Sequence, residues 1–342
     1  MAYTAGIRSV FHRKKRSTVH YVHSNRKGDV MLKYVLKRLG YILVTLWVIV
    51  TCTFFMMKNL PGTPFDAERF SIMTPQQQER VLEMYGLNDS LPMQYVKYIK
   101  NMLKGDLGTS FTYVNQDVSK VITGRLGPSA LIGIQAVLIG LAIGLILGIL
   151  AAWKHNSGID YFTMILAVLG VSVPNFVAAA LLQYYIGLKW GVLPVGFWTG
   201  WNCSVLPSIA LSFSATAMVA RFMRTEMLDV LDQDYIITAR AKGLSQMKVL
   251  MRHAVRNSIL PVVTILGPIV VNLMTGSLAV ENIFSIPGIG SLFVDCIKAN
   301  DYPVIMGITI FYAAFYMLIV LLVDLAYSLI DPRIRLAKGK ES

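Results

Sequence analysis

The chain has 342 residues, of which 55% are hydrophobic and 15% are charged, whereas a soluble domain usually carries about 45–50% apolar and about 25% charged residues. This composition excludes a disordered chain, and three cysteines in 342 residues exclude a disulfide scaffold. The formal net charge of +13 fits either nucleic-acid binding or the cytoplasmic loops of a membrane protein, so the positions of the charges decide between the two.

Six stretches are apolar enough to cross a bilayer, whose hydrocarbon core requires about 20 residues of helix. With six spans both termini share one side of the membrane, and that side holds 22 of the 32 Lys and Arg residues. Since basic residues concentrate in cytoplasmic loops, we predict an all-α membrane protein with cytoplasmic termini and no nucleic-acid partner. The predicted spans are residues 36–57, 131–152, 162–188, 206–222, 259–280 and 304–325.

The segments that flank and connect these spans differ in character. Residues 1–30 contain Arg13-Lys14-Lys15-Arg16, and we interpret them as a basic disordered tail, with a cleaved organellar leader as the alternative. Residues 58–130 are long for a connection, and Thr74 with Pro75 predicts the start of a helix there. A second amphipathic segment covers residues 93–103. We therefore expect an ordered extracytoplasmic lid between the first two spans.

These observations divide the chain into five segments. The remaining boundaries follow from the spans and from a charged segment between the fourth and the fifth. The expected segments are a tail at 1–30, an amphipathic turn with the first span at 31–57, the lid at 58–130, a core of spans two to six at 131–330 with a cytoplasmic loop at 226–258, and a cytoplasmic tail at 331–342.

Motifs of common enzyme classes are absent from the sequence. It contains no His-Glu-x-x-His, no Gly-x-Ser-x-Gly and no phosphate-binding Gly-x4-Gly-Lys-Ser/Thr. We therefore expect no catalytic residues, no metal site and no ATP site in this chain. Cys203 and Cys296 both fall on the outer side, where a disulfide can form, but we expect two unpaired thiols.

The polar residues within the spans are neutral. Ion-coupled carriers usually place ionisable groups near the bilayer midplane, and the middles of these six spans carry none. Gln135, Gln183 and Asn272 are instead the candidate residues of a translocation pathway. A neutral pathway favours a transporter whose energy comes from another subunit over an ion-coupled secondary carrier.

Glycine and proline mark packing and bending within the spans. Gly140, Gly144 and Gly148 lie four residues apart and therefore on one helix face. We expect this face to pack within the chain, and a dimer contact is the alternative. Pro174 and Pro268 each remove a backbone hydrogen bond within a span, so we predict kinks at these residues and a gate near them.

The cytoplasmic loop predicts two short amphipathic helices. Asp234 is the expected N-cap of the first helix, Gly243 its left-handed end, and Ser245 the N-cap of the second. The loop is either an interfacial segment on anionic lipid or a docking site for a cytoplasmic partner. Small residues favour insertion into a partner's groove, and four occur here: Thr238, Ala239, Ala241 and Gly243.

This loop resembles the characteristic cytoplasmic loop of ABC-importer permeases. Ile237-Thr238-Ala239 stands where that family has Glu-Ala-Ala, and Gly243 and Leu260-Pro261 follow. Tyr235 to Gly243 and Arg252-His253-Ala254 are similar to the dipeptide, oligopeptide and nickel group in particular. Further matches run from residue 31 to residue 335 and include Pro61-Gly62-x-Pro64, Gly105-Asp106-Leu107-Gly108, Ser172-x-Pro174-x-Phe176, Glu281-x-x-Phe284-x-x-Pro287-Gly288-x-Gly290, Asp301-Tyr302-Pro303 and Asp331-Pro332-Arg333.

The resemblance implies the type I importer permease fold in a bacterial inner membrane. Such a permease forms half of a peptide pore with a homologous second permease, two ATP-binding subunits that hold ATP and Mg, and an extracytoplasmic peptide-binding protein. A nickel importer of the same group is one alternative, although this pathway lacks His and carboxylate ligands. A membrane receptor or scaffold is an alternative from another class.

The resemblance also assigns roles to individual residues. Arg221 and Arg224 are expected to pair with Glu226 or Asp229, or with lipid phosphates. The residues expected to receive the binding protein are Asp106, Glu281 and Asp301. The residues expected to contact an ATP-binding subunit are Asp234, Tyr235, Thr238, Ala239, Arg240, Ala241, Lys242 and Gly243.

Overall fold

The computed structural model describes residues 35–59, 70, 72–84, 86–113, 115–274 and 278–330. The predicted tails at 1–30 and 331–342 and the Pro61–Pro64 motif lie outside these residues. The described part of the chain is helical, and its only strand pairing is a single bridge between Thr109 and Asp117. The chain divides between Thr51 and Cys52 into two units. The all-α class predicted from the sequence is confirmed.

The described residues of the first unit belong to one helix, α1, which runs from Val35 to Lys58 and continues into the second unit. Its mean hydropathy is 2.1 over the best window. A helix of this length spans about 36 Å, which is enough to cross a bilayer. The first predicted span is therefore confirmed.

The lid contributes two helices, α2 (Pro75–Met84) and α3 (Leu91–Leu103). The α2 N-terminus forms a reciprocal cap, because the Gln77 amide donates to Thr74 Oγ1 at 3.3 Å and the Thr74 amide donates to Gln77 Oε1 at 2.9 Å. This arrangement satisfies two backbone donors that a helix start leaves free. The cap predicted at Thr74 is thus observed.

The remaining helices form the body of the second unit. Five described helices are long and apolar enough to cross a membrane, or six if one bent pair counts as a single span. In chain order the helices are α4 (Val118–Trp153), α5 (Gly158–Ser172), α6 (Asn175–Leu182), α7 (Val205–Leu231), α8 (Asp234–Ala241), α9 (Gln246–Val249), α10 (Arg256–Met274), α11 (Leu278–Ile283), α12 (Ile289–Lys298) and α13 (Tyr302–Ile330). π-helical segments follow α6 at Gln183–Lys189 and α9 at Leu250–Val255, and a 3-10 turn precedes α7 at Trp201–Ser204.

The third span is not the continuous helix that the sequence predicts. The axes of Gly158–Ser172 and Asn175–Lys189 meet at 101°. Pro174 lies at the break, where it is the N-cap of α6. Since the residue before a proline disfavours the α conformation, Val173 is extended (φ −83°, ψ 119°) and α5 ends. The predicted kink is therefore a full break.

The core forms where α4 packs against α7. A Cβ on Gly140 would lie 2.8 Å from Ala215 Cβ, and one on Gly148 would lie 2.6 Å from the Ala220 carbonyl oxygen. Only glycine allows the two backbones to approach this closely. The expectation that this glycine face packs within the chain is confirmed, and the approach places α7 at the centre of the unit.

Candidate functional site

Helix α8 presents one face to the chain and the other to solvent. Ile236 and Ala239 are buried and pack with Val249 in a small apolar cluster. Their spacing of three residues places both on the same side of the helix. The exposed residues of this stretch are Asp234, Tyr235, Ile237, Thr238, Arg240, Ala241, Lys242 and Gly243. All of the predicted coupling residues except Ala239 are therefore available to a partner.

The ends of α8 follow the sequence signals with one correction. Gln233, and not Asp234, is the N-cap, because Gln233 is extended (φ −79°, ψ 146°) and Asp234 is already helical. Asp234 therefore lies in the first turn, where its negative charge interacts favourably with the helix dipole. Gly243 has φ +75° and donates its amide to the Arg240 carbonyl at 2.9 Å. Ser245 is the N-cap of α9, as predicted.

Apolar side chains are exposed around α8. Ile237 is 59% and Met251 is 52% exposed, and Tyr235 and Met247 are exposed as well. Four exposed basic residues lie in the same stretch: Arg240, Lys242, Lys248 and Arg252. We call the four apolar residues with Thr238 and Ala241 the docking face. Exposed apolar patches with a polar rim mark protein interaction sites.

Two hydrogen-bonded contacts connect this region to the spans. Asn257 Nδ2 at the start of α10 donates to the Tyr235 hydroxyl at 3.2 Å. The buried Ser258 hydroxyl lies 2.8 Å from the Ala254 carbonyl oxygen and 3.3 Å from that of Glu226, near the end of α7. A movement of α8 would therefore reach α10 directly, and α7 is bound at the same point.

A buried ion pair fixes the start of α5 to α7. Asp160 is 1% exposed. Arg224 Nε lies 2.5 Å from Asp160 Oδ1, and Arg224 Nη2 lies 2.7 Å from Oδ2. His155 Nδ1 and the Asn156 amide approach Oδ2 at 3.1 Å and 3.0 Å. Arg224 thus pairs with Asp160, and the prediction that it pairs with Glu226, Asp229 or lipid is wrong.

Glu281 lies inside the protein, which argues against its predicted contact with the binding protein. Glu281 is only 2% exposed. Oε1 accepts a hydrogen bond from the Ser129 hydroxyl at 2.7 Å, and Oε2 accepts one from the Ser291 amide at 2.9 Å. Ser129 Oγ in turn accepts the Ile289 amide at 2.8 Å. The carboxylate therefore joins α11, α4 and α12.

Gly288 permits this arrangement, and Gly288→Ala is expected to destabilise the protein by about 1–3 kcal/mol, the usual cost of overpacking. A Cβ at residue 288 would lie 2.3 Å from Glu281 Oε2. The matched control is Gly127→Ala, because a Cβ there meets nothing within 4 Å and alanine favours a helix. Thermal unfolding of the detergent-solubilised protein measures both, and equal midpoints for the two variants would contradict the expectation.

Asp301 is also buried, and Asp106 is exposed. Asp301 is 0% exposed, and its carboxylate accepts hydrogen bonds from the Ser110 hydroxyl and, at 3.0 Å, from the Thr112 amide. It holds the lid loop against the start of α13 and does not face a docking partner. Asp106 Oδ1 accepts the Gly108 amide at 2.8 Å on the lid surface. Contact of Asp106 with a binding protein stays a prediction.

Gln135 and Gln183, two of the predicted pathway residues, bind different partners. Gln135 accepts a hydrogen bond from Ser208 on α7 at 2.8 Å. Gln183 Nε2 lies 2.6 Å from the Val195 carbonyl oxygen and 2.7 Å from the Ile283 carbonyl oxygen. Gln183 therefore acts as a clamp between the π-helical segment, the following loop and α11.

One face of α10 is exposed along its length. Thr264, Pro268 and Asn272 lie four residues apart, and all three are exposed. Pro268 lies inside the helix, which continues through it. Residues four apart share a helix face. A polar face on an otherwise apolar span is the pattern of a pathway lining.

The cysteines and potential metal ligands form no site among the residues that the structure describes. Cys52, Cys203 and Cys296 are free thiols, and no group of three His, Cys, Asp or Glu side chains is arranged to hold a metal in the described ranges. Burial, with the nearby Asp301 and Asp295, raises the pKa of the Cys296 thiol to about 12. This thiol therefore stays protonated and unreactive at neutral pH.

Comparison with known families gives matches over most of the chain. The family described as binding-protein-dependent transport system inner membrane component matches residues 144–336, and its N-terminal counterpart matches residues 31–127. A crystal structure of an amino acid ABC transporter aligns over 63% of this chain and 94% of its own, with a TM-score of 0.48 and 20% sequence identity.

Several curated proteins are similar over nearly their whole length. The dipeptide transport system permease protein DppB of Lactococcus lactis is 46% identical over 90% of this chain and 100% of its own. The protein of the same name from Bacillus subtilis is 43% identical over 90% of this chain and 99% of its own. The oligopeptide transport system permease protein OppB of Salmonella typhimurium is 39% identical, over 89% and 100%.

Proposed function

The chain belongs to the family of binding-protein-dependent transport system inner membrane components, and from this membership we propose that it is one permease subunit of an ATP-driven importer of dipeptides or oligopeptides. The observation that carries the proposal is the identity of 46% with a dipeptide permease over that protein's full length. The nickel-importer alternative is not favoured, because these relatives are named for peptide transport.

The proposed assembly needs three kinds of partner. A homologous second permease completes the pore, two ATP-binding subunits hold ATP and Mg in the cytoplasm, and an extracytoplasmic binding protein delivers the peptide. The chain is a multi-pass protein of the bacterial inner membrane, and we propose that both termini are cytoplasmic. This orientation is supported by the excess of Lys and Arg on the side of the termini.

We propose that the docking face receives an ATP-binding subunit. Ile237, Thr238 and Ala241 are exposed on the side of α8 opposite its buried residues. An exposed apolar patch with a polar rim is typical of a protein interaction site, which supports a partner subunit over the alternative of contact with anionic lipid. The Tyr235–Asn257 hydrogen bond then passes a movement of the subunit to α10.

The exposed face of α10 is the proposed lining of the pathway. Thr264 and Asn272 offer neutral polar groups on either side of Pro268. Neutral polar groups can form hydrogen bonds with a zwitterionic peptide as it passes. They bind the peptide weakly, because they place no charge in the pathway. Rotation of α10 about Pro268 is the proposed gating movement.

Peptide uptake tests the proposal. The chain would be expressed together with the partner subunits encoded in its own genome, in a bacterium that lacks its own peptide permeases. Accumulation of radiolabelled dipeptides and tetrapeptides would then be measured. We expect uptake that requires this chain and the binding protein. The control omits only this chain, and radioactive nickel is assayed in parallel. Nickel uptake without peptide uptake would overturn the proposed cargo, and uptake of neither would overturn the importer function.

A further inference from the structure

The segment that follows the break in the third span runs across its neighbour. We call residues Asn175–Lys189, which comprise α6 and its π-helical extension, the transverse segment. Its axis meets that of α5 at 101°. A helix of 15 residues such as α5 is about 22 Å long, whereas the hydrocarbon core is about 30 Å thick. If α5 lies along the membrane normal, the chain turns at Pro174 before α5 has covered the full thickness of the hydrocarbon core. The axis of the transverse segment is then nearly parallel to the membrane plane.

The depth of the transverse segment in the bilayer follows from the position of the N-terminal end of α5. Asp160 in the first turn of α5 pairs with Arg224 near the end of α7. The proposed topology places this pair at the cytoplasmic surface, and the present step rests on that topology. The break at Pro174 then lies in the outer half of the bilayer, within reach of the outer headgroups.

One side of the transverse segment is fixed to the protein. Ala178, Ala179 and Gly187 are buried, and these small residues allow close contact with the body of the unit. Gln183 donates to the Ile283 carbonyl oxygen at 2.7 Å, which binds the segment to α11. These contacts hold the transverse segment at its angle to α5.

The opposite side is apolar and exposed among the residues that the structure describes. Exposed residues recur there at intervals of four: Phe176 and Val177, Ala180 and Leu181, Tyr184 and Tyr185, Leu188 and Lys189. Leu188 is 67% and the adjoining Trp190 is 64% exposed. An apolar strip of this kind is unfavourable in water.

The residues of this strip have the chemistry of a membrane surface. Tyr and Trp concentrate at the boundary between acyl chains and headgroups, and Tyr184, Tyr185 and Trp190 are exposed in the second half of the segment and directly after it. The Lys189 amino group lies 5.6 Å from the centre of the Tyr185 ring, so its stem covers apolar surface while its charge can reach phosphate or water.

We propose that the transverse segment is an interfacial helix in the outer leaflet, with its exposed strip in phospholipid, and that it lies along the membrane surface and not across the bilayer. Its aliphatic side chains reach towards the acyl chains, whereas the polar ends of Tyr184, Tyr185 and Lys189 reach towards the headgroups. The segment anchors α11 to the outer membrane surface through Gln183. The face is assigned to lipid because α5, the other half of the same broken span, also exposes apolar side chains, namely Ile165, Val168 and Leu169.

Depth measurements by spin labelling test this proposal. Single cysteines would replace Val177, Leu181 and Leu188 in turn, in an assembled complex whose other cysteines have been replaced. The complex would be reconstituted in vesicles of phosphatidylethanolamine and phosphatidylglycerol. Nitroxide accessibility to oxygen and to a water-soluble nickel chelate gives the depth of each label. Phe162 and Leu169 on α5 are the matched control positions, and they are expected to differ in depth by about 10 Å.

We expect labels at 177, 181 and 188 to have high oxygen accessibility and depths that agree within about 3 Å, since an axis close to the membrane plane gains little depth along its length. A graded difference of about 15 Å between 177 and 188 would overturn the proposal in favour of a spanning helix. High access to the nickel chelate would assign the strip to water, and low access to both reagents would assign it to another subunit. The α5 control is independent of the cargo, so failure here is distinguishable from failure of the peptide-import proposal.

Discussion

Replacement of Thr238 by Arg is expected to lower peptide uptake at least tenfold and to release the ATP-binding subunits during purification. Thr238 is exposed on α8, beside the exposed Ile237. Arginine adds a long cation at a small-residue position and stands near Arg240 and Lys242, so it opposes docking by both size and charge. Since every 1.4 kcal/mol is a factor of ten in affinity, a tenfold loss requires only one unfavourable contact in the groove.

The matched control for this variant is Asn101→Arg. Asn101 is exposed on helix α3 of the lid, so the same side chain is added on the opposite side of the proposed membrane. We expect this variant to keep both its ATP-binding subunits and its uptake. Quantitative mass spectrometry of the affinity-purified complex measures retention, normalised to the amount of this chain. Retention and uptake at the unsubstituted level in Thr238→Arg would contradict the docking role of α8.

The parts of this region that the sequence predicts depend on local signals. Ser245 precedes a helix and Gly243 ends one, and both adopt the backbone conformations that these residue types favour. Thr74 and Gln77 form their cap within four residues of chain. Interactions of this range are readable because the partners are fixed by helix geometry alone.

The polar contacts that the sequence does not predict join distant residues. Arg224 and Asp160 are 64 positions apart, and Ser129 and Glu281 are 152 positions apart. The family resemblance predicts that Glu281 and Asp301 receive the binding protein, whereas folding buries both residues. The glycines at 288 and 290 were a signal for Glu281, since two glycines beside a carboxylate indicate a close approach.

The sequence also does not predict the direction that the third span takes after Pro174. Pro174 predicts an interruption, but the angle depends on what the following segment contacts. Gln183 holds that segment through carbonyl oxygens 12 and 100 residues away. A hydropathy window cannot distinguish an apolar helix that crosses a bilayer from one that lies at its surface, because both carry enough apolar residues.

Removal of the Asp160 carboxylate is expected to destabilise the protein by about 3 kcal/mol, because breaking a buried ion pair leaves its partner uncompensated. Asp160→Ala leaves the mostly buried Arg224 guanidinium without its ion partner, and it also removes the acceptor of the Asn156 amide. We expect a lower thermal unfolding midpoint for the detergent-solubilised complex. The control is Asp89→Ala, because the Asp89–Lys97 pair is exposed and such pairs contribute about 0–1 kcal/mol.

The double variant Asp160→Ala with Arg224→Leu separates charge from packing. Replacing both members of a buried pair by apolar groups is often neutral, so we expect the double variant to recover most of the lost midpoint. Together with the single variant Arg224→Leu, these measurements form a double-mutant cycle across the α5–α7 contact. If the double variant unfolds at the same temperature as Asp160→Ala, the loss does not come from the uncompensated guanidinium. In that case the loss of the contacts that His155 and the Asn156 amide make with Asp160 is the cause, and α5 is held at its start by the turn before it and not by the ion pair with Arg224.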